Sequence, residues 1–253
     1  MRFVLFFWFL TGPCLLLAKS HTLHALVACD TTTEPIQSIT RIDRERVKKF
    51  VLSVAKEVNP HANITVLDGE MLSMENVNRW LSTTHVDPAD TLFCYVTGLG
   101  KRGAPQPTPW PLFSFPLDGS LFIEKVRALR PRLAIILFES CNSVVLTTSV
   151  KKNFYKCAPH LEQGLHVLFR KSRGIIAACA AEAGQTAIGI CVNDNPYVTA
   201  GGVFTTSFLA SVCEQADSKE SSWEKVLKKT KLYCEKLSKD VSSTTQTPYF
   251  QTW

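Results

Sequence analysis

Residues Leu133–Val144 read LAIILFESCNSV and decide the fold. Leu133 to Phe138 are apolar without a break, and polarity switches at Glu139-Ser140-Cys141-Asn142-Ser143. A short continuous apolar run is the pattern of a strand buried on both faces of a parallel sheet. Ligands of open α/β sheets bind beyond the carboxyl ends of such strands. Cys141 therefore stands where a nucleophile would be placed. The alternative is a small hydrophobe capping the sheet, since free cysteine is among the most buried residue types. What sets Cys141 apart from the other cysteines is its company of one carboxylate and three polar groups at a strand end.

Outward from this stretch the chain alternates strands and helices. His24 to Cys29 predicts a first strand, ended by Asp30 and a threonine turn. Asp43 is placed to cap a helix whose apolar positions are Val47, Phe50, Val51, Val54 and Val58, stopped by Asn59-Pro60. Ile64 to Leu67 predicts a second strand and Met74 to Leu81 a short helix. Thr91 to Val96 predicts a third strand entering a loop, Thr97 to Gly103, whose glycines permit close backbone approach. GxGxxG is matched at 98, 100 and 103, but prolines and not a helix follow, so this is no dinucleotide fingerprint.

Further on, Leu121 to Leu129 predicts a helix and Gly174 to Ala180 a fifth strand. Leu146 to Arg173 is expected to be helical in part, and Ala181 to Thr199 a loop. Helices are expected from Gly201-Gly202 through Val212 and from Trp223 to Leu237, before an extended tail. This pitch predicts an α/β fold in three layers, a mostly parallel sheet of five or six strands with helices on both faces. Residues 21–253 are expected to form a single domain.

Composition narrows the function classes. The net charge is +6, with much of the excess after residue 220, where lysines alternate with glutamates on a solvated helix face. No aromatic stacking platform accompanies these lysines, so nucleic acid is not an expected partner. No cysteine pair has CxxC spacing, so a zinc site is not expected. No other metal and no cofactor is expected. Residues 1–20 have a basic start at Arg2, an apolar stretch from Phe3 to Ala18 and small residues before His21. They are expected to be a signal peptide, with an N-terminal membrane anchor as the alternative. The expected location is outside the cell or in the periplasm, with no membrane attachment once the leader is removed. Cys29, Cys94 and Cys179 sit in apolar runs as buried thiols, whereas Cys141–Cys157 and Cys191–Cys213 have spacings that permit bridges. Asn63-Ile64-Thr65 is a glycosylation sequon only if the host glycosylates exported proteins; a chance match is the other and commoner reading.

Taken together, HALVACDTT (24–32), YVTGLGKRG (95–103), RLAIILFESCNS (132–143), GIIAACAAEAGQTAIG (174–189) and GGVFTTSFL (201–209) resemble the caspase-like and metacaspase-like cysteine peptidase family. Their order matches a p20-type domain over nearly all of the chain after the leader. The resemblance implies a hydrolase: a cysteine-type endopeptidase with Cys141 as the thiol nucleophile and the Gly100 backbone N–H in the oxyanion hole. It also implies that Glu139 receives a lysine or arginine before the scissile bond, and that Gln185 lies in a substrate-facing loop. A hydrogen-bonded strand terminus is the other reading of Glu139, and a plain surface amide the other reading of Gln185. Peptide or protein substrates and a caspase-like partner chain are the implied partners.

One departure governs activity. The family's histidine falls between Gly98 and Gly100, and this chain has Leu99 there. A leucine moves no proton, and an unassisted thiol has a pKa near ~8.5. Loss of a positioned acid–base group costs roughly 10²–10⁴-fold in rate. His24, His61 and His85 are expected at the wrong edge of the sheet, which leaves His160 and His166 as the substitutes to examine. Val144 also replaces a glycine that metacaspases favour. Proteolysis is therefore expected to be impaired or absent. The alternative is a pseudoenzyme that binds peptides or regulates without cleaving. No GxSxG elbow supports another α/β hydrolase.

Overall fold

A computed structural model describes residues 21–58, 61–101, 109–141, 143–146, 162–191 and 201–253, with the backbone alone at Lys101, Cys141, residues 143–146, Glu162, Gln163 and Cys191. The expected leader, Cys157 and His160 lie outside the described residues. The fold is α/β. Its main sheet runs in the order β10-β7-β5-β3-β1-β2, built from β1 (Thr22–Cys29), β2 (His61–Asp68), β3 (Thr91–Lys101), β5 (Leu133–Cys141), β7 (Gly174–Cys179) and β10 (Tyr249–Thr252). All neighbours pair in parallel except β10, which returns antiparallel to β7. A two-residue β4 (Leu112–Phe113) joins the carboxyl end of β3 antiparallel.

Strand alternation divides the core in two. Val27, Tyr95 and Leu137 face Val47, Val51 and Val54 of α1 (Gln37–Val58), with α5 (Val203–Ala216) and α6 (Trp223–Val241) on the same side. Ala28, Val96 and Phe138 face the opposite layer, where α2 (Met74–Thr83) supplies Val77 and Trp80 and α3 (Gly119–Ala128) supplies Phe122 and Val126. Burial on both faces is why these strands read as unbroken apolar runs. The lysines of α6 are solvent-side, while Trp223, Val226, Thr230 and Cys234 are buried, as the charge pattern implies.

Several boundaries differ from expectation. Asp43 does not cap α1; the helix begins six residues earlier, and Asp43 is fully buried within it. The third strand does not give way to a loop after Val96. It continues to Lys101 because it pairs with β5 as far as Leu99 and with β4 at Gly100 and Lys101. The fifth strand likewise runs through Glu139 and Ser140 to Cys141. Within regions expected as loop or helix, β6 (Ser143–Leu146), β8 (Ile188–Cys191) and β9 (Gly201–Gly202) form a second small sheet. Among the described residues between β6 and β7 lies a short α4 (Glu162–His166), continued by a π-helical turn over Val167–Lys171. No described helix is long and apolar enough to cross a membrane.

Candidate active site at the carboxyl edge of the sheet

The β3–β5 ladder ends with Leu99 and Cys141 as Cα partners, preceded by Thr97↔Glu139 and Gly98↔Ser140. These two central strands carry both chain segments singled out by the sequence to one edge. Gly100 follows, half-buried, opposite Phe113 of β4. A Cβ at Gly100 would collide with Ser140 Oγ and lie 3.3 Å from Pro111 Cβ, so only glycine lets the strands approach here. Gly100 thus has a packing reason to be glycine besides the oxyanion role that the sequence suggests.

Behind this edge lies a polar cluster under the α1–α5 layer. Glu139 is fully buried, and its Oε2 accepts hydrogen bonds from the Thr205 N–H (2.7 Å) and hydroxyl (2.8 Å). The Thr205 hydroxyl is also hydrogen-bonded to Tyr95 Oη at 2.8 Å. Asp43 reaches across from α1, and its Oδ2 accepts the Gly202 N–H at 2.8 Å. Gly202 is the N-cap of α5 and has no side chain to cap with, so two carboxylates from other elements satisfy the first N–H groups of that helix. A Cβ at Gly202 would strike the Glu139 carboxylate and lie 2.9 Å from Asp43 Oδ2. The Gly201-Gly202-Val203-Phe204 stretch is therefore read by this acid pair. Arg46, one turn along α1, donates to Thr206 Oγ1 at 2.8 Å.

Burial governs the charge of this pair. It pushes Asp43 up to about 7, against the Arg46 guanidinium and the Gly202 N–H that pull it down. Burial and then the neighbouring Asp43 charge push Glu139 up to about 8, against the hydrogen bonds from Thr205. At neutral pH the pair therefore retains a proton. Asp43 Oδ1 and Glu139 Oε1 have no hydrogen-bond partner, nor do the buried hydroxyls of Thr97 and Ser140 at the same edge. Among described residues the only other such atom is Gln215 Oε1. Strand alternation sets the Thr97 and Glu139 oxygens on the α1 face with Asp43, where a hydrogen-bond donor or a cation would find acceptors, whereas Ser140 turns to the opposite face beside Gly100 and Pro111. No group of His, Cys, Asp and Glu among the described residues is arranged to hold a metal ion.

The described imidazoles are at the other edge. His24, early in β1, contacts Asp90 Oδ2 at 3.2 Å, and His21 contacts the Ala89 carbonyl at 2.7 Å. His61 opens β2, and His85 lies in the connection entering β3. His166 ends α4, one turn before Arg170, which donates to the Val58 carbonyl at the carboxyl end of α1. Phe169, next to Arg170, accepts through its carbonyl from Thr91 Oγ1 at the start of β3. His166 therefore belongs to the amino edge as well, far along the strands from Cys141. Arg132 locks that edge by donating to the carbonyls of Ala89, Phe169 and Ser172 and to Thr91 Oγ1.

Gln185 is half-buried, and its Oε1 accepts the Thr247 N–H at 2.8 Å, tying the loop after β7 to the tail. Cys29, Cys94, Cys179 and Cys234 are buried and outside any disulfide, whereas Cys213 is disulfide-bonded. Sequence reasoning missed Asp43, Tyr95 and Thr205 as site residues. The signal for Asp43 was present: it falls four residues before Val47, on the apolar stripe of its own helix, where an unpaired acid is out of place. No family model matches the chain, and no curated protein matches it either.

Proposed function

We propose that the chain is a caspase-like, metacaspase-like cysteine peptidase homologue, a peptide-bond hydrolase by descent in which Leu99 disables efficient proteolysis. The observation that carries this reading is the register pair Leu99–Cys141 at the carboxyl edge, with every described imidazole at the amino edge. Cys141 takes the nucleophile position, Leu99 the position of the missing base, and Gly100 the position of an oxyanion N–H. Without a base the thiol is ionised only in small part at neutral pH, and the leaving amine has no proton donor.

A second reading, a non-catalytic pseudopeptidase that holds a peptide, is favoured by the buried Asp43–Glu139 pair with its unpartnered oxygens. A lysine or arginine side chain entering there would displace the retained proton and satisfy those oxygens. The capping of α5 by Glu139 supports a structural role for the same carboxylate. Labelling of Cys141 by an electrophilic peptide ending in lysine or arginine, compared between the native chain and Cys141→Ala, tests the nucleophile assignment. A peptide or protein ligand and a caspase-like partner chain are the partners this reading implies. The basic, apolar and small-residue order of residues 1–20 supports export, and the disulfide at Cys213 suits an oxidising compartment.

A further inference from the structure

We propose that Asn63 carries an N-linked oligosaccharide on the open edge of the main sheet. Asn63-Ile64-Thr65 is the sole N-x-S/T sequence in the chain. It lies on β2, the last strand in the sheet order. Strand alternation turns Ala62, Ile64 and Val66 against the α1-side core, whereas Leu67 packs on the other face beneath α2. Asn63 and Thr65 share that second face, but at the amino end of the strand, and Asn63 is exposed there. The sequon is thus presented at an accessible edge rather than folded into the core.

The local chemistry accommodates the linkage. Asn63 Nδ2 lies 3.4 Å from His24 Nδ1, its register partner on β1. Glycosylation joins Nδ2 to C1 of a sugar supplied by a polyisoprenyl-diphosphate-linked oligosaccharide. The C1–O bond to the diphosphate breaks, the diphosphate departs, and the amide gives up one of its two protons. The remaining N–H can still donate to His24 Nδ1. A glycan at this position also obstructs strand addition along β2, the hazard of an open sheet edge.

The proposal rests on export and not on the peptidase reading, and two forms of the chain separate the two ways in which it can fail. The full chain is expressed in eukaryotic secretory cells, once with its own first twenty residues and once with a leader of established export in their place. The expected result is a mobility shift removed by a peptide N-glycosidase (an amidase), with Asn63 converted to Asp in the released peptide. Thr65→Ala should abolish the shift while leaving Asn63 in place, and Thr65→Ser should retain it. Modification only behind the substituted leader upholds the site and removes the export reading. Unmodified Asn63 in protein recovered from the medium behind that leader overturns the proposal.

Discussion

Leu99 and Cys141 are Cα partners on the last rung shared by β3 and β5, and Glu139 lies two residues before that rung. The pairing sets an aliphatic residue beside the proposed nucleophile position. It also keeps Glu139 close enough to the strand end to serve either a bound cation or the helix α5 it caps. The consequences of this arrangement separate into stability, close packing, ligand charge and chemistry.

Stability should fall as pH rises across the titration of the buried acids. Asp43 and Glu139 ionise near 3.8 and 4.5 when unperturbed, but are pushed up to about 7 and about 8 in the fold. The folded state therefore holds more protons between those limits, and stability decreases with pH wherever it does so. Their contribution is complete below the unfolded values and lost as pH passes through the folded ones. Denaturant midpoints measured from about pH 5 to about pH 9 should decline in the native chain. The decline should flatten in Asp43→Asn/Glu139→Gln. Equal slopes would contradict the protonated pair.

Gly202→Ala places a methyl group against the Glu139 carboxylate and within 2.9 Å of Asp43 Oδ2. Overpacking of this kind costs roughly 1–3 kcal/mol. The variant should show a lower melting temperature, and the fall should shrink in a Glu139→Ala background, where the obstructing carboxylate is gone. A loss of the same size in both backgrounds would detach Gly202 from the acid pair.

Ligand charge gives a separate test of the carboxylates. A peptide ending in arginine should bind more tightly as pH rises through about 7 to about 8, because a cation prefers the ionised pair. Calorimetry should show proton release on binding at neutral pH. Glu139→Gln keeps an oxygen for Thr205, so α5 remains capped, yet the pH dependence should weaken. Affinity that is flat with pH in the native chain would assign both carboxylates to structure alone.

The apolar run at Leu133–Phe138 made the central strand legible, and the alternation of such runs with helical spacing made the layers legible too. What escaped was set by partners distant in sequence. The third strand looked like a loop after Val96 because glycines lack strand propensity, yet pairing with β5 and β4 extends it to Lys101. Asp43 looked like a cap because aspartate favours helix starts, but its partner, the Gly202 N–H, lies on another element. The small sheet of β6, β8 and β9 is made of two- to four-residue strands, too short to carry a periodic signal. Leu99 and Cys141, by contrast, were legible as a pair from the two motifs, and the register brings them together.

The most direct measurement is the rate at which an electrophilic peptide ending in lysine or arginine acylates Cys141 in the native chain and in Leu99→His. With the imidazole restored, labelling and turnover should rise by roughly 10²–10⁴-fold, and Cys141→Ala should abolish both. Rapid, Cys141-dependent cleavage by the native chain, matched by Leu99→His, would contradict the account, because a base would then be reaching the thiol from elsewhere.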